Sequence, residues 1–364
     1  MRIQRKSDWQ LDLVLNNFMK RIFLVITFLV CFFMLFGEND LLSIMLVGDV
    51  MPGTDYPSER YLPESNGENL ISDAVKERLL SSDVLCGNLE GCLLDGGMPS
   101  KRKKGKFLFR IPEKLDGVFT EAGFDLLSVA NNHSGDFGDA GRISTQDRLD
   151  NMGIGYAGYL EKPCEIIERT GFRIGFVALA PFRGCLSHWQ KNIVEAIIDS
   201  LSEETDLIIA SMHYGGEGEK FVHLTGEDEI YYGENRGNPV KVAHWLVDSG
   251  VDLIYGHGPH VPRAMEIYKG KLIAYSLGNF VTWARFNLEG EYRPLAPILQ
   301  VYYNKEGDFR YGEIISCRQN YHQGVDLDAG RSAARKVRKL SDSDIANSRL
   351  RYLEDDNGYW FYGI

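Results

Sequence analysis

Leu42-Ser43-Ile44-Met45-Leu46-Val47-Gly48-Asp49-Val50-Met51 is the stretch on which the fold turns. Residues 42–47 are apolar apart from Ser43, so they read as a strand buried on both faces; a half-buried strand would alternate polar and apolar side chains. Gly48-Asp49 ends the run with a carboxylate at the strand's carboxyl end. The same design recurs down the chain. Val84-Leu85-Cys86 runs into Gly87-Asn88-Leu89-Glu90, and residues 126–130 run into Asn131-Asn132-His133. Residues 207–212 lead to His213-Tyr214-Gly215, and 252–255 to Gly256-His257-Gly258-Pro259-His260. Helical periodicity at 69–80, 113–122, 139–151, 191–201 and 239–249 fills the gaps between strands. Strand–helix alternation of this kind predicts an α/β fold with a largely buried sheet. After residue 284 the pattern changes to hairpin-like strands (297–303, 310–317) and a charged helix near 332–346. The expected organisation is therefore a domain over 41–283 with an extension over 284–364 packed on it.

Polar residues at five strand ends suggest one site, because the loops at the carboxyl ends of strands in α/β folds converge on a crevice. Asp, Glu, Asn and neutral His form a hard-to-borderline ligand set suited to Mn²⁺, Fe or Zn²⁺. The 364 residues carry a net charge of -11, which argues against a nucleic-acid partner. Six cysteines include no CxxC pair, so a thiolate zinc knuckle is not expected. No P-loop, Gly-x-Ser-x-Gly elbow or dinucleotide-binding fingerprint occurs, which leaves ATPase, serine hydrolase and dehydrogenase readings without support. His188, His223, His244 and His322 fit no motif and read as structural.

Residues 1–40 have a different character. Arg2, Arg5, Lys6, Lys20 and Arg21 outnumber Asp8 and Asp12, and a run of 15 residues at 22–36, apolar apart from Thr27, follows. No small-x-small cleavage site follows it. A basic flank before an apolar run predicts an uncleaved anchor, in contact with the membrane through residues 22–37, with the N-terminus inside and the main domain outside the cytoplasm. Met19 is an alternative start.

Taken in order, the motifs resemble the CapA/PgsA family of capsule and poly-γ-glutamate synthesis proteins. They are Gly48-Asp49-Val50-Met51, Gly87-Asn88-Leu89-Glu90, Lys106-Phe107-Leu108-Phe109-Arg110, Asn131-Asn132-His133 with Asp136 and Gly138, His213-Tyr214-Gly215, Gly256-His257-Gly258-Pro259-His260 and Ser276-Leu277-Gly278-Asn279-Phe280. The resemblance covers about residues 43–283. It implies a calcineurin-like metallophosphoesterase scaffold, a four-layer α/β/β/α sandwich with one or two divalent ions between its sheets.

Carried over residue by residue, the resemblance makes Asp49 a metal ligand and puts Met51 where a second-position histidine is usual, which weakens one metal position. Glu90, with Asn88 as the alternative, stands where a carboxylate bridges. Asn132, His213, His257 and His260 match the remaining ligands. His133 matches the acid that protonates a leaving group, and Asp136 the carboxylate that holds its tautomer. Lys106, Arg110 and Arg183 are the candidates for substrate contact, Lys106 closing the basic run Lys101-Arg102-Lys103-Lys104-Gly105-Lys106. The implied role is metal-dependent, hydrolase-like action on an anionic extracellular polymer or its precursor, alongside membrane synthase or export subunits. The alternative is a non-catalytic subunit that keeps the metal fold for binding.

Overall fold

The structure is a computed structural model that describes residues 41–100 and 107–364, with Leu42–Ile364 forming one unit. The anchor expected at 22–37 and Lys106 lie outside the described residues. Among those residues, no helix is long and apolar enough to cross a membrane.

Fifteen strands among the described residues build two sheets. In chain order they are β1 (Leu42–Met51), β2 (Val84–Leu89), β3 (Leu126–Ser128), β4 (Gly155–Ala157), β5 (Cys164–Arg169), β6 (Phe172–Leu179), β7 (Leu207–His213) and β8 (Leu253–His257). Then come β9 (Met265–Tyr268), β10 (Lys271–Ala274), β11 (Asn279–Thr282), β12 (Ile298–Tyr303), β13 (Phe309–Ile315), β14 (Leu350–Glu354) and β15 (Tyr359–Gly363). The larger sheet runs β14-β15-β13-β12-β1-β2-β3-β4, with β11 also paired to β1; the smaller runs β9-β10-β8-β7-β6-β5.

Burial explains the apolar runs. All ten residues of β1 are buried, because both faces of its sheet are covered. On one face Leu42, Ile44 and Leu46 pack with Ile174, Phe176 and Ala178 of β6, so the two sheets share a core. On the other face Met45 and Val47 meet Val75 and Leu79 of α1 (Asp73–Leu79), Phe119 of α2 (Asp116–Ala122) and Leu149 of α3 (Gly138–Met152). The outer face of the smaller sheet is covered in the same way. There Ile208, Ala210 and Ile254 pack against Ile198 of α4 (Lys191–Glu204), Leu246 of α5 (Pro239–Asp248) and Leu340 of α6 (Ser332–Asp344). Full burial of each Leu, Ile or Phe contributes about 1.5–3 kcal/mol, so the inter-sheet core is a principal source of stability. The helices start where the chain supplies caps: Ser72 accepts from Val75 N, and Asn238 accepts from Lys241 N just ahead of Pro239.

The segment after residue 284 is more than an extension packed on a finished domain. β12 lies directly beside β1, antiparallel, with Leu42 opposite Tyr303 and Ile44 opposite Val301. β13, β15 and β14 continue the same sheet outward, and α6 joins the outer layer. Local patterning marked β12 and β13 but not β14 or β15, and it carried no information about pairing partners.

Candidate metal centre

The parallel strands deliver their carboxyl ends to one place. In the larger sheet Asp49 sits opposite both Asn88 of β2 and Asn279 of β11. In the smaller sheet His213 and His257 are paired neighbours at the ends of β7 and β8. The sheets meet through these residues: His257 Nδ1 lies 3.3 Å from Asp49 Oδ1. The register of β1 shifts on both sides of Asp49, which re-aims the carboxylate in the manner of a bulge. Gly48 permits this. A Cβ there would stand 2.0 Å from the Gly278 carbonyl oxygen, the same atom that accepts from Asp49 N at 2.9 Å.

Asp49 is fully buried and multiply held. Asn88 Nδ2 donates to Oδ1 at 2.8 Å, and His260 Nδ1 stands 2.8 Å from Oδ2. Burial by itself would raise this carboxyl's pKa, but the hydrogen bonds and charges of His257 and His260 outweigh it and hold Asp49 well below the usual carboxylate range. His260 is aimed by a left-handed backbone (φ 57°), a conformation that costs a non-glycine residue about 1–3 kcal/mol and clusters at functional sites. Its Nε2 lies 3.7 Å from Glu90 Oε1 and 4.0 Å from Glu217 Oε2. Burial disfavours the His260 charge, yet Glu90, Asp49 and Glu217 together raise its pKa to about 10.

Glu90, just past β2, has the opposite environment. Burial and the neighbouring Asp49 charge push its carboxyl well above the ordinary range. Both of its oxygens, both His213 ring nitrogens and His257 Nε2 are buried without a hydrogen-bond partner among the described residues. Burial drives His213 well below its normal pKa, leaving the neutral imidazole that ligation requires. Each unpartnered buried polar group costs about 1–3 kcal/mol, so several in one pocket call for a common partner. Ligand atoms of Asp49, Glu90 and His213 lie within 4.8 Å of one another, and this donor set fits a divalent cation.

His133 and Asp136 form a second unit beside the cluster. His133 Nδ1 stands 2.8 Å from Asp136 Oδ2, which also accepts from Phe109 N at 2.9 Å. His133 Nε2 points back to Glu90 Oε1 at 3.9 Å. Asn131 braces the turn, donating to Leu89 O at 2.8 Å and accepting from His133 N at 3.0 Å. Above the cluster opens a cleft of about 630 Å³, lined by Asn132, His133 and His260 together with Phe109, Phe286 and Tyr232. The Phe109 ring packs 4.2 Å from the His133 ring, centroid to centroid.

The structure therefore brings together Asp49, Glu90, Asn132, His133, Asp136, His213, His257 and His260. Asn88, the alternative to Glu90, serves as a brace between Asp49 and Asn131. Met51 packs in the core between the larger sheet and its helices. Arg110, expected at the substrate, is committed elsewhere: Nε donates to Asp55 at 2.6 Å and Nη1 to Gly97 O at 2.7 Å, with its guanidinium over the Tyr56 and Phe137 rings. Arg183 lines an adjoining groove. Sequence reasoning passed over Glu217, two residues beyond the His213-Tyr214-Gly215 motif, and Arg236, which pairs with it at 2.7 Å. It also gave no role to Asn279, whose Nδ2 donates to His260 O at 3.4 Å.

The family model for bacterial capsule synthesis protein PGA_cap matches residues 43–283. The chain belongs to this family. It is 28% identical over 266 residues to the capsule biosynthesis protein CapA of Bacillus anthracis, an alignment covering 67% of this chain and 60% of that protein. It is also 28% identical over 264 residues to the PGA biosynthesis protein CapA of Bacillus subtilis, covering 67% and 64%. The chain thus spans less than two thirds of the length of these relatives. Among solved structures it is similar to a 5'-nucleotidase precursor from Thermus thermophilus, with a TM-score of 0.41 and 11% identity over 84% of this chain and 59% of that one. The family match begins at the second residue of β1 and ends just after β11, so it contains every strand end that feeds the cluster.

Proposed function

We propose that this chain is a metal-dependent, hydrolase-like protein that acts on an anionic extracellular polymer, poly-γ-glutamate or a capsule precursor, during its synthesis, export or processing. The observation that carries the proposal is the cluster of buried, unpartnered ligand atoms on Glu90 and His213 beside Asp49, under an open cleft. The family membership and the printed names of the CapA relatives support the polymer class. Asp49, Glu90 and His213 would hold the ion, with Asn132 and His257 beside them. A divalent ion supplies charge that polarises a phosphoryl or acyl oxygen.

The chain's own residues do the rest. With Nδ1 held by Asp136, His133 exchanges a proton at Nε2, on the cleft side of Glu90. Phe109 and Phe286, stacked at 5.2 Å, wall that side of the cleft and limit water around the imidazole. Met51 offers no hard ligand, which favours a single ion. It also fits the second reading, a non-catalytic subunit of a polymer synthesis complex. We place the domain outside the cytoplasm on an anchor at 22–37; fractionation of the full chain with membranes tests this, and recovery as a soluble, N-terminally trimmed product opposes it.

The test of function is turnover by Mn²⁺-loaded protein on poly-γ-glutamate and on a model phosphodiester. His133→Ala should lower turnover by ~10²–10⁴-fold with metal content retained, and Asp136→Asn should lower it less. Metal loss in His133→Ala equal to that in Asn132→Ala would make His133 a ligand instead. A fully loaded parent that is inert on both substrates would favour the non-catalytic subunit.

A further inference from the structure

The cleft above the cluster does not end there. A second groove of about 420 Å³ adjoins it, and the two share Asn132, Phe182 and Glu234. Asn132 belongs to the candidate metal centre, so the two hollows meet over that centre. One arm is walled by Phe286 and Tyr232 and carries Arg293; the other carries Arg142 and Arg183.

The charges on the arms fall into two groups. Arg236 is answered by Glu217 and Glu234, at 2.7 and 3.6 Å, and Arg142 by Asp139 at 2.9 Å. Arg293 and Arg183 have no carboxylate partner among the described residues, one on each arm, although Arg293 Nη1 donates to the Glu289 carbonyl at 3.0 Å. The second arm is built to keep its shape. Gly184 has a left-handed backbone (φ +84°) that favours glycine, and Arg142 Nη1 lies 2.7 Å from where a Cβ would stand, against the loop carrying Arg183.

We infer that the centre is the midpoint of a through-groove that binds a linear polyanion along its length, presenting an internal linkage of the chain rather than its end. This rests on the polymer reading above. A blind pocket for a chain terminus needs cations on one side of the reacting position; this site has an arginine without a carboxylate partner on both arms. Guanidinium groups are the side chains best suited to carboxylates in such a role, because they are planar and always charged.

The test is binding of synthetic γ-linked glutamate oligomers of graded length, with both termini free or both blocked, to the full chain in Mn²⁺, read by fluorescence anisotropy. Affinity should keep rising past the length that one arm can hold, and blocking both termini should leave it unchanged. Arg183→Glu and Arg293→Glu should each weaken a long oligomer by about tenfold or more, the loss of one charge-assisted contact, whereas an oligomer confined to one arm should respond to only one of the two substitutions. Mn²⁺ binding and melting curves of both variants serve as the folding control. Loss of binding on blocking the termini, or affinity independent of length with full Mn²⁺ binding, would overturn the through-groove and leave the polymer reading standing. Failure of every oligomer to bind Mn²⁺-loaded parent would overturn the polymer reading and the through-groove with it.

Discussion

Glu90→Gln should make the metal-free protein more stable and the metal-loaded protein less stable than the parent. The parent holds a buried carboxyl, neither of whose oxygens has a hydrogen-bond partner among the described residues, next to the Asp49 charge. The upper limit of that penalty follows from protonation. Keeping the group neutral at pH 7 against an ordinary carboxyl value of about 4.3 costs roughly 3.7 kcal/mol at 1.36 kcal/mol per pH unit, and a larger penalty is avoided by taking the proton. The cost of leaving buried polar atoms unpartnered is common to both side chains, so only the charge and protonation cost enters the comparison. Glutamine occupies the same volume without a charge, so a gain of about 1–3 kcal/mol is expected, or about 1.5–4.5 °C in Tm at about 2.1 cal/mol/K per residue for a unit of this size. Excess Mn²⁺ should reverse the order, because an ion at 100 times its Kd stabilises the parent by about 2.7 kcal/mol and the variant has lost a ligand. Scanning calorimetry in chelator and in Mn²⁺ reads both numbers. The pH dependence has a definite sign. A carboxyl whose folded pKa is raised weighs against folding only above its ordinary value, so the gain from Glu90→Gln should vanish near pH 4 and grow as pH rises. A chelated variant less stable than the parent, together with equal Mn²⁺ stabilisation of both, would refute the reasoning.

Three more expectations follow from the same site. Because the Glu90 pKa is raised, metal competes with a proton there, so calorimetric titrations in buffers of different ionisation enthalpy should show proton release that grows as pH falls, with affinity falling in step; pH-independent affinity with no proton release would count against Glu90 as a ligand. His260, raised to about 10 from an ordinary 6.5, contributes stability that is complete below about pH 6.5 and is lost as pH climbs towards 10; chelated parent should lose Tm over that window more steeply than His260→Gln, and parallel curves would contradict the Asp49–His260 contact. Gly48→Ala should cost at least about 1–3 kcal/mol, since its methyl would meet the Gly278 carbonyl at 2.0 Å; an unchanged Tm would show that the loop at 276–280 yields freely.

Much of the fold was legible because buried parallel strands are locally distinctive. The runs at 42–47, 84–86 and 207–212 all fall inside strands. β5 was missed: its Glu165, Glu168 and Arg169 make it an edge strand with mixed exposure, without the apolar run that marks its neighbours. The integration of β12 beside β1 was illegible for another reason, since pairing across 250 residues leaves no trace in local periodicity. The site followed the same division. Asp49, Glu90, His133, His213 and His257 stand at or just after strand ends, where position in the chain predicts position in space. Glu217 and Arg236 lie on loops, and only the tertiary arrangement shows that they pair beside His260. Arg110 illustrates the converse. It stands inside a matched motif, but its guanidinium is consumed by Asp55 and two aromatic rings, none of which its motif foretold.

The claim on which the rest depends is that Asp49, Glu90 and His213 hold a divalent ion. Crystals of the protein grown with Mn²⁺ and measured at the manganese absorption edge test it directly. An anomalous peak within bonding distance of Asp49, Glu90 and His213, absent from crystals of Glu90→Gln, is the predicted result. No peak at the cluster at millimolar Mn²⁺, or a peak held by other residues that survives in Glu90→Gln, would contradict it.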